Sequence, residues 1–142
     1  MNSAELHYTF HLSGGDFSNA GAISTRIKKI LQQIGAKSET IRRAAIATYE
    51  AEMNIVIHAS SGEVTLNASA VRILIKCQDK GPGIPDIKLA MQPGYSTASD
   101  KVREMGFGAG MGLPNMQRCA DTLEIHSTVG TGTTVDMVFR NE

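Results

Sequence analysis

From Val71 to Cys77 every second residue is apolar, with Val71, Ile73, Ile75 and Cys77 on one side and Arg72, Leu74 and Lys76 on the other, and the next position of the apolar face is an acid, Asp79. A period of two marks a half-buried strand, so the acid stands where the pattern asks for a core side chain. A carboxylate drawn into a core needs hydrogen-bond donors. An amino group on a heterocyclic ligand is one candidate. The residues leave a second reading open, in which the strand ends at Cys77 and Asp79 begins a turn with Lys80-Gly81-Pro82-Gly83.

The segments around this strand describe one compact unit. Leu6 to Leu12 alternates as a strand, and Ile23, Ile27, Ile30, Leu31 and Ile34 give an amphipathic helix from about Ser18 to Ile34, stopped by Gly35. Ser38 is placed to cap a second helix running from Glu39 to about Ala59, apolar over much of its circumference and therefore largely buried. Gly62 to Asn67 pairs with Val71 to Asp79 as a hairpin; Leu113 to Leu123 reads as a third helix with Met116, Cys119 and Ala120 inward; Leu123–Val129 and Thr133–Arg140 close the chain as a second hairpin around Gly130-Thr131-Gly132. The stretch 81–110, rich in Gly and Pro, reads as a long cover loop. This order suits an α+β two-layer sandwich, with helices on one face of a mixed, mainly antiparallel sheet.

Bulk properties narrow the partners. A length of 142 residues fits a single domain, and equal numbers of acidic and basic residues give no electrostatic reason to expect nucleic acid or an anionic membrane. No basic stretch followed by an apolar run opens the sequence, and no membrane-length apolar segment interrupts it. The expectation is a soluble cytoplasmic protein. Cys77 and Cys119 are far apart and lack metal-ligand spacing, so they read as reduced, buried thiols.

Two further constellations carry chemistry. Glu50 and Asn54 lie one helical turn apart and project from the same face, flanked by Ile46, Met53 and Ile57. Glu50 must then face a water-filled cleft or meet a partner, unless the two are an ordinary surface acid and a helix-interior amide. Gly106-Phe107-Gly108-Ala109-Gly110-Met111-Gly112 runs into the helix that starts at Leu113, which offers backbone N–H groups to phosphate oxygens. Its spacing matches neither the dinucleotide fingerprint nor a P-loop. A ligand-free flexible loop is the alternative.

In this order and spacing the motifs resemble the GHKL ATPase superfamily, whose Bergerat fold binds ATP. Glu50-Ala51-Glu52-Met53-Asn54 is similar to its Glu-x-x-x-Asn box, Asp79-Lys80-Gly81-Pro82-Gly83-Ile84 to its Asp-x-Gly-x-Gly box, and Gly108-Ala109-Gly110-Met111-Gly112-Leu113 to its second glycine box. Gly130-Thr131-Gly132-Thr133 resembles the terminal Gly-Thr element. Small size and the Asn54–Ala59 stretch bring the resemblance to the anti-sigma-factor serine kinases of the RsbW, RsbT and SpoIIAB type, and Gly112-Leu113-Pro114 leans towards RsbT.

The resemblance implies an ATP- and Mg²⁺-dependent protein-serine kinase acting on a STAS-type anti-anti-sigma partner. The alternative it allows is a nucleotide-gated module that sequesters a sigma factor or activates a PP2C-type phosphatase; a homodimer is compatible with both. Glu50 would be the general base, Asn54 the Mg²⁺ ligand and Asp79 the partner of the adenine amino group, assisted by Thr133. Gly81, Gly83, Ile84, Gly108, Ala109, Gly110, Met111, Gly112 and Leu113 would line the nucleotide, the glycines letting backbone approach it. One departure stands out. Some of these kinases carry an arginine just before the second glycine box, where this chain has Gly108; Lys101 and Arg103 are the nearby cations that would have to replace it.

Overall fold

A computed structural model of the chain describes residues 5–94 and 111–141. In chain order these form β1 (Leu6–Ser13), a 3-10 turn (Phe17–Asn19), α1 (Ala22–Gln33), α2 (Ser38–His58), β2 (Ser61–Ala68), β3 (Arg72–Lys80), the short α3 (Ile87–Ala90), α4 (Gly112–Cys119), β4 (Thr122–Thr128) and β5 (Gly132–Arg140). The five strands make one sheet in the order β1-β2-β3-β5-β4. All four pairings are antiparallel.

The registers explain why one face is apolar. Phe10, Val64, Cys77, Val135 and Ile125 lie opposite one another across the sheet, as do Tyr8, Leu66, Ile75, Met137 and Leu123. A slip of one residue in any strand would turn its apolar set to solvent, so the alternation fixes the register. Over this face lie α1 and α2, contributing Ile23, Ile27, Ile30 and Leu31 from the first and Ile41, Ala44, Ala47, Ala51 and Ile55 from the second, while α4 adds Leu113 and Met116. The small side chains of α2 let it sit close, and it packs against both α1 and α4. At the open edge Tyr8 stacks on Phe10, with ring centroids 6.2 Å apart, and Arg26 covers the Phe10 ring.

Several local expectations change. Ser38 is the first residue inside α2 rather than its cap; Lys37 holds the cap position, and no side chain caps there. Val71 lies outside β3 and is 60% exposed, so the buried face of that strand starts at Ile73. The third expected helix ends at Cys119, and Ala120 is extended. The chain there must reverse into β4, whose Leu123 pairs with Met137. Cys119 is only half-buried, whereas Cys77 is buried. Within the stretch read as cover loop, Asp86 accepts a hydrogen bond from Leu89 N and caps α3. Residues 95–110 of that stretch, with Lys101, Arg103, Gly108, Ala109 and Gly110, lie outside the described residues. No described helix is long and apolar enough to cross a membrane.

Candidate nucleotide site

Asp79 occupies the last inward position of β3, half-buried, with its side chain turned towards the start of β5. Its Oδ1 accepts a hydrogen bond from the backbone N of Thr133 at 3.1 Å. Among the described residues its second oxygen has no partner. Burial pushes the Asp79 carboxyl above the ordinary aspartate range, and the Thr133 N–H offsets this only in part. The strand therefore continues through Asp79, and the reading in which it ends at Cys77 fails.

Around this acid the chain is laid on itself. Ser127 Oγ lies 2.9 Å from Thr133 Oγ1 and accepts from Ile84 N at 2.7 Å, and Gly130 N donates to Pro82 O at 2.8 Å. At Gly132 a Cβ would fall 2.0 Å from the carbonyl oxygen of Asp79, and at Gly83, with φ of +78°, it would fall 2.5 Å from that of Thr128. Real Cβ atoms do not come that close. Gly81 likewise packs against Ala59. In the described structure these glycines make room for the β4–β5 turn and the end of α2, a structural reason the sequence pattern did not show.

Beside Asp79 opens a hollow of about 580 Å³, lined among others by Gln78, Ile87, Ser127, Gly132 and Thr133. This size suits a small-molecule ligand. Glu50 and Asn54 are not among its lining residues. They stand, both half-buried, on the side of α2 that meets α4. Gly112 lies against Asn54, where a Cβ would come 3.1 Å from Oδ1. One turn further on, Asn115 donates from Nδ2 to Glu50 Oε2 at 2.5 Å, and Arg118 donates from Nη2 to Asn115 Oδ1. Glu50 thus has a partner, Met111 is half-buried ahead of it, and Leu113 is buried in the core.

Sequence reasoning missed Asn115, Arg118, Ser127 and Glu52. Glu52 is 2% exposed and accepts from Gly21 N, Ile23 N and Ser24 N at 3.0, 3.2 and 3.0 Å, which caps α1. An acid on the apolar stripe of Thr48, Ala51 and Ile55 was the available signal, the same one that singled out Asp79. The pKa of the Cys77 thiol is pushed up to about 12, first by burial and then by the charges of Glu52, Asp136 and Asp79. The described acids and histidines that cluster, Glu124, His126 and Asp136, stand on β4 and β5 rather than on α2 with Asn54.

A helical layer over one face of an antiparallel sheet, with an acid at the end of a central strand beside a hollow, is the α+β arrangement of the GHKL fold. The chain belongs to the histidine kinase-like ATPase domain family, whose model matches residues 16–139, and that membership implies ATP binding. It is 36% identical over 141 residues to anti-sigma F factor of Thermoanaerobacter sp. (strain X514), covering 96% of this chain and 92% of that one. To serine/threonine-protein kinase RsbT of Bacillus subtilis (strain 168) it is 30% identical over 115 residues, 78% of this chain and 80% of that one. The crystal structure of the RsbU and RsbW domains of Rv1364c from Mycobacterium tuberculosis matches with a TM-score of 0.58 at 17% identity, over 94% of this chain and 32% of that one. That last likeness speaks to the fold alone. The first two bear out the resemblance to the anti-sigma-factor serine kinase type.

Proposed function

We propose that this protein is an ATP-dependent protein-serine kinase of the anti-sigma type, acting in the cytoplasm as a single domain on a STAS-type anti-anti-sigma partner. The observation that carries this reading is Asp79, a half-buried carboxylate with one oxygen held by Thr133 N and the other without a partner among the described residues, at the wall of a ligand-sized hollow. An adenine amino group supplies the donor that such an oxygen lacks. Thr133 and Ser127, already bonded to each other, stand beside it to meet the rest of the base.

Glu50 would take the proton of the partner's serine hydroxyl as its oxygen attacks the γ-phosphorus of ATP; the bond to the β–γ bridging oxygen breaks, and ADP leaves. Asn54 offers an amide oxygen beside Gly112 at the start of α4, a donor that suits Mg²⁺, which keeps several waters and takes few protein ligands. Bound there with the phosphates, the ion would shield their charge. Gly108, Ala109, Gly110, Met111 and Gly112 lead into the N-terminus of α4, where backbone N–H groups favour phosphate oxygens. Incubation with labelled Mg-ATP and the candidate STAS partner tests the reading. Label should appear on the partner and vanish with Glu50→Ala; tight ADP binding with no transfer would overturn it.

The presence of Gly108 where some of these kinases carry an arginine favours a second reading. The protein would then bind nucleotide and hold a sigma factor or phosphatase without transferring phosphate. The same experiment separates the two.

A further inference from the structure

Glu50 is a long side chain on a helix surface, and a carboxylate at the end of several rotatable bonds has an orientation to lose unless something holds it. In this protein the holder is on α4. Gly112 lies against Asn54 and Asn115 donates to Glu50, so the first turn of α4 spans the Glu50–Asn54 stripe. The orientation of the Asn115 amide follows from the chemistry of its neighbours. Arg118 has only donors and a carboxylate has only acceptors. The Asn115 oxygen therefore faces the Arg118 guanidinium and its nitrogen faces Glu50 Oε2; turned over, the amide would set oxygen against oxygen and N–H against N–H.

The geometry points to Asn115 as a positioning residue for Glu50, with Arg118 fixing the direction of its amide, so that the second carboxylate oxygen is presented to an acceptor hydroxyl. The inference rests on the reading of Glu50 as the base. It also ties that base to the helix the glycine motif opens: displacement of α4 would displace the hydrogen bond that orients Glu50. A surface hydrogen bond that merely staples α2 to α4 would leave the same distances, and the two roles part in their consequences.

Single-turnover transfer from Mg-ATP to the STAS partner, ADP affinity by calorimetry and thermal stability are measured for Asn115→Leu, Arg118→Met and the double variant. Misplacing a reacting group costs on the order of ten- to a hundredfold in rate. That loss is expected for Asn115→Leu with ADP affinity unchanged, a smaller one for Arg118→Met, and none beyond Asn115→Leu in the double variant, since Arg118 acts only through Asn115. Transfer at the wild-type rate by Asn115→Leu, with only its stability lowered, would overturn the inference. If the wild-type protein binds ADP but transfers nothing, the kinase reading has failed, and the Asn115 side-chain amide in a ¹⁵N–¹H spectrum decides the positioning by itself. Its resonances should shift on Glu50→Ala and on Arg118→Met; resonances indifferent to both would overturn it.

Discussion

At the scale of single residues, Asp79 is where stability and the binding role proposed for it pull apart. Burial raises its pKa above the unfolded value, so between the two values the folded chain binds more protons than the unfolded one, and stability falls as pH rises through that window. Above the window the full cost of the buried charge is present. Asn at this position keeps an acceptor for Thr133 N and removes the charge. Asp79→Asn is therefore expected to melt at a higher temperature than wild type at neutral pH without nucleotide, to lose that advantage in acid below the window, and to bind Mg-ADP poorly. Thermal melts across pH check the first two and calorimetry the third; a variant less stable than wild type at neutral pH would refute the argument. Gly132 is constrained by contact rather than charge. With the Asp79 carbonyl 2.0 Å from where its Cβ would be, Gly132→Ala forces β5 away from β3, and a loss of about 1–3 kcal/mol in urea unfolding is expected.

At the scale of elements, α1 begins on Glu52 rather than on a cap of its own. Its cap position is Gly21, which has no side chain to offer, and the carboxylate from α2 accepts from three of the backbone N–H groups there. Glu52→Ala leaves those donors buried without an acceptor, so a loss of about 2–4 kcal/mol is expected. Glu52→Gln, with one acceptor oxygen left, should lose less. Urea midpoints and hydrogen exchange at Ile23 and Ser24 check this; protection as in wild type would show the cap to be dispensable. The elements themselves were legible because their periods are strong: Ile73, Ile75 and Cys77 alternate, and Ile23, Ile27, Ile30 and Leu31 follow one helical stripe. Their ends were not. Ser38 looks like a cap, yet Lys37 stands in the cap position, and Leu123 continues a helical pattern yet pairs with Met137. Strand pairing overrode local preference at Leu123, and at α2 the helix starts one residue earlier than the Ser38 signal suggests.

At the scale of the whole molecule, the sequence shows which side chains are out of place but not which of them meet. Asp79 was visible because an acid broke an apolar alternation, and Glu50 with Asn54 because a helix turn joins them. That Asn115 reaches Glu50 across 65 positions of chain, and that Ser127 joins Ile84 to Thr133, depends on how α4 packs on α2 and how the β4–β5 turn lies against the loop after β3. No local pattern encodes either. On the function proposed above, the work of binding would be divided between the Asp79 hollow and the Glu50–Asn54 stripe of α2, and a linkage experiment tests that division. A ligand that binds only the folded state stabilises it by about 2.7 kcal/mol at a hundredfold excess over its Kd. Mg-ADP should give wild type that gain. Asp79→Ala, which removes the proposed acceptor for the base, should lose the gain with or without magnesium, whereas Asn54→Ala should keep the part that ADP gives alone and lose the part that magnesium adds. Equal responses of the two variants to magnesium would mean that Asn54 does not serve the ion, and the division of the site between β3 and α2 would fall with it.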